Sequence, residues 1–318
     1  MRARRAVLAS EAIAEQAALD HLTNGGGALG AVLAGFFAAA GARPGVLLGP
    51  MSALVAGVGQ GARAFDGRLR QPGLGTKRPR GFLSEDEVPN AARVATPGAP
   101  MAAIIAHAYA GDSLRTVIAP GVQAATRAGA ERRAHFLDRL AQVGAAALNE
   151  PSFKRALLQV GGTSEGGVLT PSDLESTDSV DQPAEERVAG EAIWVEAPWA
   201  NGSPASSGDR GAGICAADIH GVIAALTYRI SDVGTLVPDL ELIAPHAAVP
   251  VMRGVPRVAP GSRIVAPAPM ALRLDERARP TELVLEPESA RLTLDTVASP
   301  RLVLRRDPST LYVSAVRQ

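Results

Sequence analysis

The first half of the chain has apolar and polar positions spaced as in helices. Ser10 precedes a stretch that runs to Leu22 and ends at the glycines of residues 24–27. This pattern predicts a helix capped by Ser10, with Ile13 and Ala17 on its inner face. Further helices are predicted at about 28–40, 99–110, 113–128, 131–148 and 151–159, with extended segments between 46 and 65.

Beyond Arg187 the apolar positions alternate as in strands. Short apolar stretches are divided by Pro, Gly and Asp: "AIWVEAP", "GICAAD", "VIAALTYRI", "LELIAP", "ALRLD", "TELVLEP", "ARLTLD", "PRLVLRR" and "TLYVSAV". Helices first and strands later indicate an α+β fold with a mainly antiparallel sheet. Residues 161–186 are polar, acidic and rich in turn formers, so we predict a linker between the two halves.

Charge and composition exclude several classes of protein. Lys+Arg and Asp+Glu number 32 each, so no net charge favours nucleic acid or a membrane surface. Aromatic residues make up only 3%, which leaves few rings to stack on bases. The most apolar segment, 27–42, is too short to span a bilayer, and the basic N-terminus lacks a signal-peptide core. We therefore predict a soluble, cytoplasmic protein.

The single cysteine, Cys215, rules out an intramolecular disulfide and any metal site built from several thiolates. The five histidines are scattered, with no pair at helical ligand spacing, so we expect neither a metal nor another cofactor. Cys215 stands at the head of an apolar run in "RGAGICAADIHGVIAALTY", residues 210–228. It is either a catalytic nucleophile or a small apolar filler.

Four stretches follow one another in the first half. They are "GGGALGAVLAG" at 25–35, "FDGRLRQP" at 65–72, a run at 94–129 containing "TPGAPMA" and "IAPGVQAATRAG", and "GGVLTPSDLES" at 166–176. In this order they resemble the gamma-glutamyltransferase (gamma-glutamyltranspeptidase) family of N-terminal-nucleophile hydrolases. The family counterparts read GGNAVDAAVA, DGRETAP, PGTVAGL with LLAPAIxLAxxG, and GGLLTxxDLxxY.

The stretch at 211–229, "GAGICAADIHGVIAALTYR", extends the resemblance. It aligns without a gap to the family's nucleophile hairpin, TTHFSVVDADGNAVSLTYT, and shares Asp218 and Gly221 with it. This alignment places Gly211 at the catalytic threonine and Cys215 at a serine four residues further on. In the family, the threonine hydroxyl attacks the gamma-glutamyl carbonyl and the α-amino group freed by self-cleavage acts as the base. Glycine supplies no such nucleophile.

Other parts of the family site are altered as well. Residues 262–272 can be laid on an SSMSPT-like stretch that binds substrate, with Ala266 and Pro267 in place of its serine pair. No counterpart of the oxyanion-hole sequence GSPGG follows, and backbone donors of this kind carry much of acyl-transfer catalysis. Only ten residues, 201–210, stand where the family has a long helical section. The resemblance therefore implies a shortened and substituted site.

Arg68 is the residue that most favours retained binding. In the family, the arginine at this place pairs with the α-carboxylate of the glutamyl group, which suits a planar and permanently charged side chain. The resemblance therefore implies a gamma-glutamyl compound or another α-carboxylate as the ligand. The alternative is a loop arginine paired with Asp66. His220 and His246 are expected to be exposed turn residues.

Two functions remain open. The first is a degenerate gamma-glutamyltransferase-like protein, with little or no gamma-glutamyl transfer or glutathione hydrolysis, that retains ligand or partner binding. The second is an active gamma-glutamyl amidohydrolase or acyltransferase whose nucleophile has moved to Cys215, exposed by cleavage after Ile214.

The resemblance also implies the fold. We predict a trimmed αββα sandwich, in which two antiparallel sheets are flanked by helices. It would be one composite domain, built from a helix-rich region at 1–176, a linker and connecting strand at 177–210, and a strand-rich region at 211–318. Loss of the family's helices would leave apolar surface that a homodimer could cover.

Overall fold

The computed structural model describes residues 4–57, 59, 61–76, 81–175, 180–189, 191–199, 209–265, 267–289, 292 and 300–318. Its helices are α1 Ala12–Thr23, α2 Ala28–Ala42, α3 Ala99–His107, α4 Leu114–Arg127, α5 Glu131–Val143, α6 Pro151–Gly161 and α7 Pro171–Glu175. Its strands are β1 Ala6–Ala9, β2 Met51–Ala56, β3 Arg63–Gly67, β4 Leu69–Arg70, β5 Asp181–Pro183, β6 Glu185–Ala189, β7 Ala192–Glu196, β8 Arg210–Ala217, β9 Ile223–Ile230, β10 Gly234–Val237, β11 Leu242–Pro245, β12 Arg263–Val265, β13 Met270–Leu274, β14 Pro280–Leu285, β15 Leu302–Arg306 and β16 Val313–Arg317.

Two six-stranded antiparallel sheets form the centre of the molecule. The first sheet has the strand order β1-β8-β9-β2-β3-β5, and the second has the order β16-β15-β14-β13-β7-β6. The alternate side chains that point between the sheets form one apolar core, which includes Leu54, Leu272, Leu283 and Leu304. The predicted α+β sandwich of two antiparallel sheets is confirmed.

The helices cover the outer face of the first sheet. Helix α2 is buried along almost its whole length, and its many alanines let α1 and α4 pack closely on either side of it. Among the described elements, no helix packs on the outer face of the second sheet. There Trp194, Ala271, Val284 and Val303 cluster with Leu292. The sandwich is thus trimmed on that side. None of the described helices has the length and apolarity needed to cross a membrane.

Regions 1–176 and 211–318 both contribute strands to the first sheet, because β1, β2 and β3 pair in it with β8 and β9. The segment predicted as a linker, 161–186, carries parts of α6 and β6 and all of α7 and β5. It also packs on the body of the protein, since Leu169 is buried and the Asp173 carboxylate accepts the backbone N–H groups of Gly73 and Leu74. At least one of the polar side chains of this segment, that of Asp173, therefore holds the turn at Gly73 and Leu74 in place.

The first helix differs from the prediction at its start. Its N-cap is Glu11, and the Ser10 hydroxyl instead accepts the backbone N–H of Gly213 at 3.0 Å. The reason is the short strand β1, which the sequence pattern did not reveal and which pairs with β8 just before the helix. As a result Ala14 faces the core, while Ile13 is 36% exposed.

Candidate active site

Asp218 closes the hairpin formed by β8 and β9. The Asp218 carboxylate accepts the N–H groups of His220 at 2.8 Å and Val222 at 3.1 Å, which closes the turn. Its other oxygen accepts the N–H of Ala28 at 3.0 Å, at the start of α2. One buried aspartate therefore fixes both the hairpin turn and the helix beneath it.

Gly211 lies near the start of β8, opposite Arg229 on β9. It points between the two sheets, on the same side of the strand as Gly213 and Cys215. A Cβ atom placed on Gly211 would lie 1.6 Å from the carbonyl oxygen of Pro287 and 2.6 Å from its carbonyl carbon. Backbone of the segment that follows β14 thus occupies the space into which a side chain at position 211 would extend.

Charged groups surround this end of the hairpin. Arg229 is buried, and burial lowers the pKa of its guanidinium. On the helix side of the sheet, the Tyr228 hydroxyl donates to Glu11 at 2.9 Å, and burial beside that carboxylate raises the pKa of the phenol. Glu11 also pairs with Arg210 at 3.1 Å and with Arg43 at 2.7 Å. These contacts hold the start of β8 in place. They also occupy the Glu11 carboxylate, which is therefore not free to act as a base.

Cys215 lies in the middle of β8, between Leu8 on β1 and Ala225 on β9. Its side chain is completely buried in the core between the sheets. Burial raises the pKa of its thiol, so the nucleophilic thiolate is disfavoured. The preceding residue, Ile214, is paired with strands on both sides, so the Ile214–Cys215 bond lies inside the sheet.

Arg68 follows β3 and forms a two-point ion pair with Asp66. Its Nε lies 3.0 Å from Oδ1, and its Nη2 lies 2.9 Å from Oδ2. The guanidinium also stacks over the ring of Trp199, with 5.1 Å between its carbon and the ring centroid. The alternative weighed for Arg68, pairing with Asp66, is therefore observed. These two contacts use the Nε–Nη2 edge of the guanidinium.

The structure brings together two of the stretches that carry the family resemblance. Strand β12, which lies within the stretch 262–272, pairs with β4, which begins directly after Arg68. Arg263 of β12 approaches the same Asp66 carboxylate at 3.2 Å. A cavity of about 160 Å³ beside them is lined by apolar residues and by five polar ones, Asp66, Arg70, Thr96, Asn149 and Arg263. Ala266, predicted at the place of a family serine, lies outside the described residues.

Gly211 and Arg68 lie at the same end of the first sheet. Ala212, Tyr228, Met51 and Gly67 form a row across the four neighbouring strands β8, β9, β2 and β3. Gly211 and Arg68 adjoin the two ends of this row. Three inter-strand spacings separate β8 from β3, so the backbones of Gly211 and Arg68 lie about 14 Å apart.

The histidines fall into different environments. His220 is exposed at the hairpin turn, as predicted. His246 is partly buried and hydrogen-bonds Thr235 Oγ1 at 2.8 Å, and burial lowers the pKa of its imidazole, so the expectation of an exposed turn residue is wrong for it. No three His, Cys, Asp or Glu residues of the described chain converge to hold a metal ion.

One polar pair was missed in the sequence. The His21 Nε2 lies 3.0 Å from Asp112 Oδ2, beside a groove of about 430 Å³ between α1 and α4. A Cβ on Gly30 would lie 2.2 Å from that carboxylate oxygen and 2.5 Å from the imidazole nitrogen. The glycine at this place makes room for the pair.

Comparison with known proteins gives a fold but no close relative. No family model matches the sequence, and no curated protein matches it. Two structures of LmbA2991 cover 100% of this chain and 97% of their own chains, at 14% identity and TM-scores of 0.76 and 0.74. The cephalosporin acylase from Bacillus halodurans covers 100% of this chain and 95% of its own, at 14% identity and a TM-score of 0.73.

A gamma-glutamyltranspeptidase from Pseudomonas nitroreducens, solved in complex with L-DON, also matches. The alignment covers 61% of this chain and 70% of that one, with 18% identity and a TM-score of 0.51. The LmbA2991 and acylase matches extend over both sheets and the helical layer, because they cover the whole chain. This chain therefore shares the fold of the LmbA2991 and cephalosporin acylase structures and, over part of its length, that of the transpeptidase.

Proposed function

We propose that this chain is a gamma-glutamyltransferase-like protein that does not catalyse gamma-glutamyl transfer or glutathione hydrolysis. The observation that carries the proposal is the packing at Gly211, where the carbonyl oxygen of Pro287 lies 1.6 Å from the place of a Cβ atom. A missing hydroxyl alone could be supplied by water or by a neighbouring side chain. Here the space for the nucleophile is missing as well.

The chemistry of the fold explains why this matters. Acyl transfer by an N-terminal nucleophile requires a side-chain oxygen or sulfur to attack the carbonyl and an α-amino group to accept its proton. Gly211 offers no attacking atom, and without a hydroxyl it cannot start the acyl shift that would release its amino group. The cephalosporin acylase and the gamma-glutamyltranspeptidase share the fold, so acylase or transpeptidase chemistry is the rival proposal.

The relocated nucleophile, Cys215, is disfavoured by three observations. Its thiol is completely buried, burial raises the pKa of that thiol, and the bond that would have to be cut lies within a sheet paired on both sides. A thiol in this setting is a packing residue. Activation of Cys215 would require β8 to leave the sheet.

We also propose that ligand binding is retained at Arg68. Asp66 occupies the Nε–Nη2 edge of the guanidinium, while the Nη1–Nη2 edge can receive a second carboxylate. The side chain is 19% exposed, which is enough for contact with a small molecule. The ligand class is an α-carboxylate such as a gamma-glutamyl compound. Ring stacking on Trp199 holds the guanidinium plane in place for it.

Intact-mass spectrometry of the purified chain tests the catalytic part. We expect one uncut chain and no release of chromogenic amine from a gamma-glutamyl anilide, measured beside an active transpeptidase as the positive control. Two fragments that meet at Ile214 and Cys215, or turnover that disappears in Cys215→Ala, would overturn the proposal. Cleavage between Arg210 and Gly211 would overturn it equally.

Titration with L-glutamate, followed by saturation-transfer NMR, tests the binding part. We expect binding to the unmodified chain and its loss in Arg68→Gln. The matched control is Arg187→Gln, which removes another arginine paired with a buried carboxylate, that of Glu196 at 3.2 Å. Equal binding by all three proteins would show that Arg68 serves only the pair with Asp66.

A further inference from the structure

A second cavity lies at the end of the sandwich opposite Gly211. It has a volume of about 400 Å³ and is bordered by the β8–β9 turn, the loop between β2 and β3, the β13–β14 turn and residues 308–311. Three arginines, Arg277, Arg279 and Arg306, line it together with His220. Neither Gly211 nor Arg68 takes part in it. The cavity is therefore separate from the site that the family resemblance predicts.

Arg306 forms the inner wall of this cavity and is 4% exposed. Its Nη2 donates to the backbone carbonyls of Asp218 at 2.6 Å and Val222 at 3.1 Å. Its Nε and Nη1 are buried and have no hydrogen-bond partner among the described residues. Burial lowers the pKa of this guanidinium and the nearby Asp218 carboxylate raises it in part, and a buried cation is costly unless its charge and its N–H groups are satisfied. An anion in the cavity would offset that cost.

The Asp218 carboxylate offsets part of the cost of burying Arg306, because it raises the pKa of the guanidinium that burial lowers. The Asp218 carboxylate already accepts three backbone N–H groups. Asp307 accepts the N–H groups of Ser309 and Thr310 on its own turn. Asp218 lies beneath the turn, and Asp307 is not part of the cavity lining. Neither carboxylate lines the cavity, so Arg306 has no described acidic residue beside it in the lining.

The rim adds two more cations. Arg279 pairs with Asp275, with 2.7 Å between Nη2 and Oδ2, and donates to the Pro308 carbonyl. The Arg277 side chain makes no ion pair with any described residue. Glu276 is exposed on the same turn and does not line the cavity. Three guanidinium groups thus line the cavity and no carboxylate of the described residues does, so its lining is positively charged.

The opposite wall is a glycine loop. Gly57, Gly59 and Gly61 have φ values of +98°, +80° and +77°, which favour glycine over other residues. A Cβ on Gly59 or Gly61 would meet nothing within 4 Å, so the backbone at these two positions is uncovered. Backbone amides of a left-handed glycine turn can bind an anion, as in many phosphate sites.

We propose that this cavity binds the phosphate group of a small phosphate monoester. A phosphate dianion presents oxygens in several directions, which matches guanidinium groups that approach from the inner wall and from the rim. The volume of about 400 Å³ exceeds what a free phosphate ion fills, which leaves room for the esterified part. Inorganic phosphate has the same charged chemistry, so the experiment must distinguish the two.

Isothermal titration calorimetry of the full chain at constant ionic strength tests the site. The probes are inorganic phosphate, glycerol 3-phosphate and, as the reference salt, chloride. We expect the monoester to bind more tightly than inorganic phosphate and chloride to produce no saturable heat. Arg277→Gln should weaken monoester binding about tenfold, the loss of one charge-assisted hydrogen bond.

The matched control is Arg305→Gln. Arg305 neighbours Arg306 on the same strand but lies on the opposite face, where its Nε pairs with Glu282 at 2.7 Å. This variant should bind the monoester as the unmodified chain does. Arg306→Met could fail to fold, so circular dichroism accompanies it, and Arg277→Gln provides the decisive comparison because that side chain is exposed.

Three results would overturn the proposal. Absence of saturable binding by both phosphates would remove the site. Equal weakening in Arg277→Gln and Arg305→Gln would show a general charge effect instead of a local one. Binding of inorganic phosphate with exclusion of glycerol 3-phosphate would overturn the assignment to a monoester. The catalytic proposal does not depend on any of these outcomes.

Discussion

Replacing Gly211 with alanine should destabilise the protein far more than a surface substitution would. The new Cβ would lie 1.6 Å from the Pro287 carbonyl oxygen, whereas real contacts of this type are at least 3.0 Å. The two backbone segments would have to separate by about 1.4 Å. Overpacking of this kind costs about 1–3 kcal/mol, and more where backbone rather than side chain must move.

Neither segment moves easily. Gly211 is paired with Arg229 in the β8–β9 ladder, and the next residues of β8 continue that ladder to the turn. On the other side, Glu286 is completely buried, donates its N–H to the Pro269 carbonyl at 3.2 Å and pairs with Arg301. We therefore expect a loss of about 3 kcal/mol or more in the free energy of unfolding.

Gly213→Ala is the matched control, on the same strand and the same face. Its Cβ would meet the Leu285 Cδ1 at 2.4 Å, and the end of a leucine side chain can rotate away. We expect a loss of about 1 kcal/mol for it, and Gly211→Thr should be at least as destabilising as Gly211→Ala.

Urea unfolding measures these changes, followed by the fluorescence of Trp194 and Trp199, with equal m-values confirming a comparable transition. If Gly211→Ala unfolds at the same urea concentration as the unmodified chain, the segment at Pro287 yields readily. The nucleophile place would then be accessible after all, and the steric argument against catalysis would fail.

Three further predictions concern other buried groups. Cys215 should not react with Ellman's reagent in the folded protein and should react with one equivalent in guanidinium chloride, because burial raises the pKa of its thiol. Gly30→Ala should lower the free energy of unfolding by about 2 kcal/mol in urea titrations, because its Cβ would lie 2.2 Å from Asp112 Oδ2. Adding Asp112→Ala to this variant should recover part of the loss. Asp66→Asn should cost about 3 kcal/mol in the same assay, because it leaves the partly buried Arg263 without this carboxylate, and an unchanged midpoint would contradict the pairing.

Much of the fold could be predicted because its elements have regular local patterns. Helices α3 to α6 lie close to their predicted ranges. Strands β7, β9, β11 and β15 lie within the predicted apolar stretches, and β8, β13, β14 and β16 overlap them. The stretch "ARLTLD" falls mostly outside the described residues. Strand β1 was missed because four residues beside basic and polar neighbours give no alternation to detect. Strands β5 and β6 were missed because an edge strand can carry polar residues on both faces.

The candidate site could be predicted only as far as its residues lie near one another in sequence. Alignment identified Gly211 as the altered position, and the pair between Arg68 and Asp66 was weighed because the two are two residues apart. The contact with Pro287 joins segments far apart in the chain, and nothing in a local pattern indicates it. The cavity at Arg306 is of the same kind, since four separate turns meet there.

The packing at Gly211 also bears on whether catalysis could be restored by a single substitution. In sequence, one glycine in place of a threonine looks reversible, because adding the side chain would supply the hydroxyl. In the structure, the carbonyl of Pro287 occupies that volume, and its segment is anchored by Glu286. Restoring the nucleophile would therefore require the segment after β14 to be rerouted together with the substitution. Two linked changes of this kind indicate that the chain's present packing is adapted to glycine at position 211, as the proposed absence of activity requires.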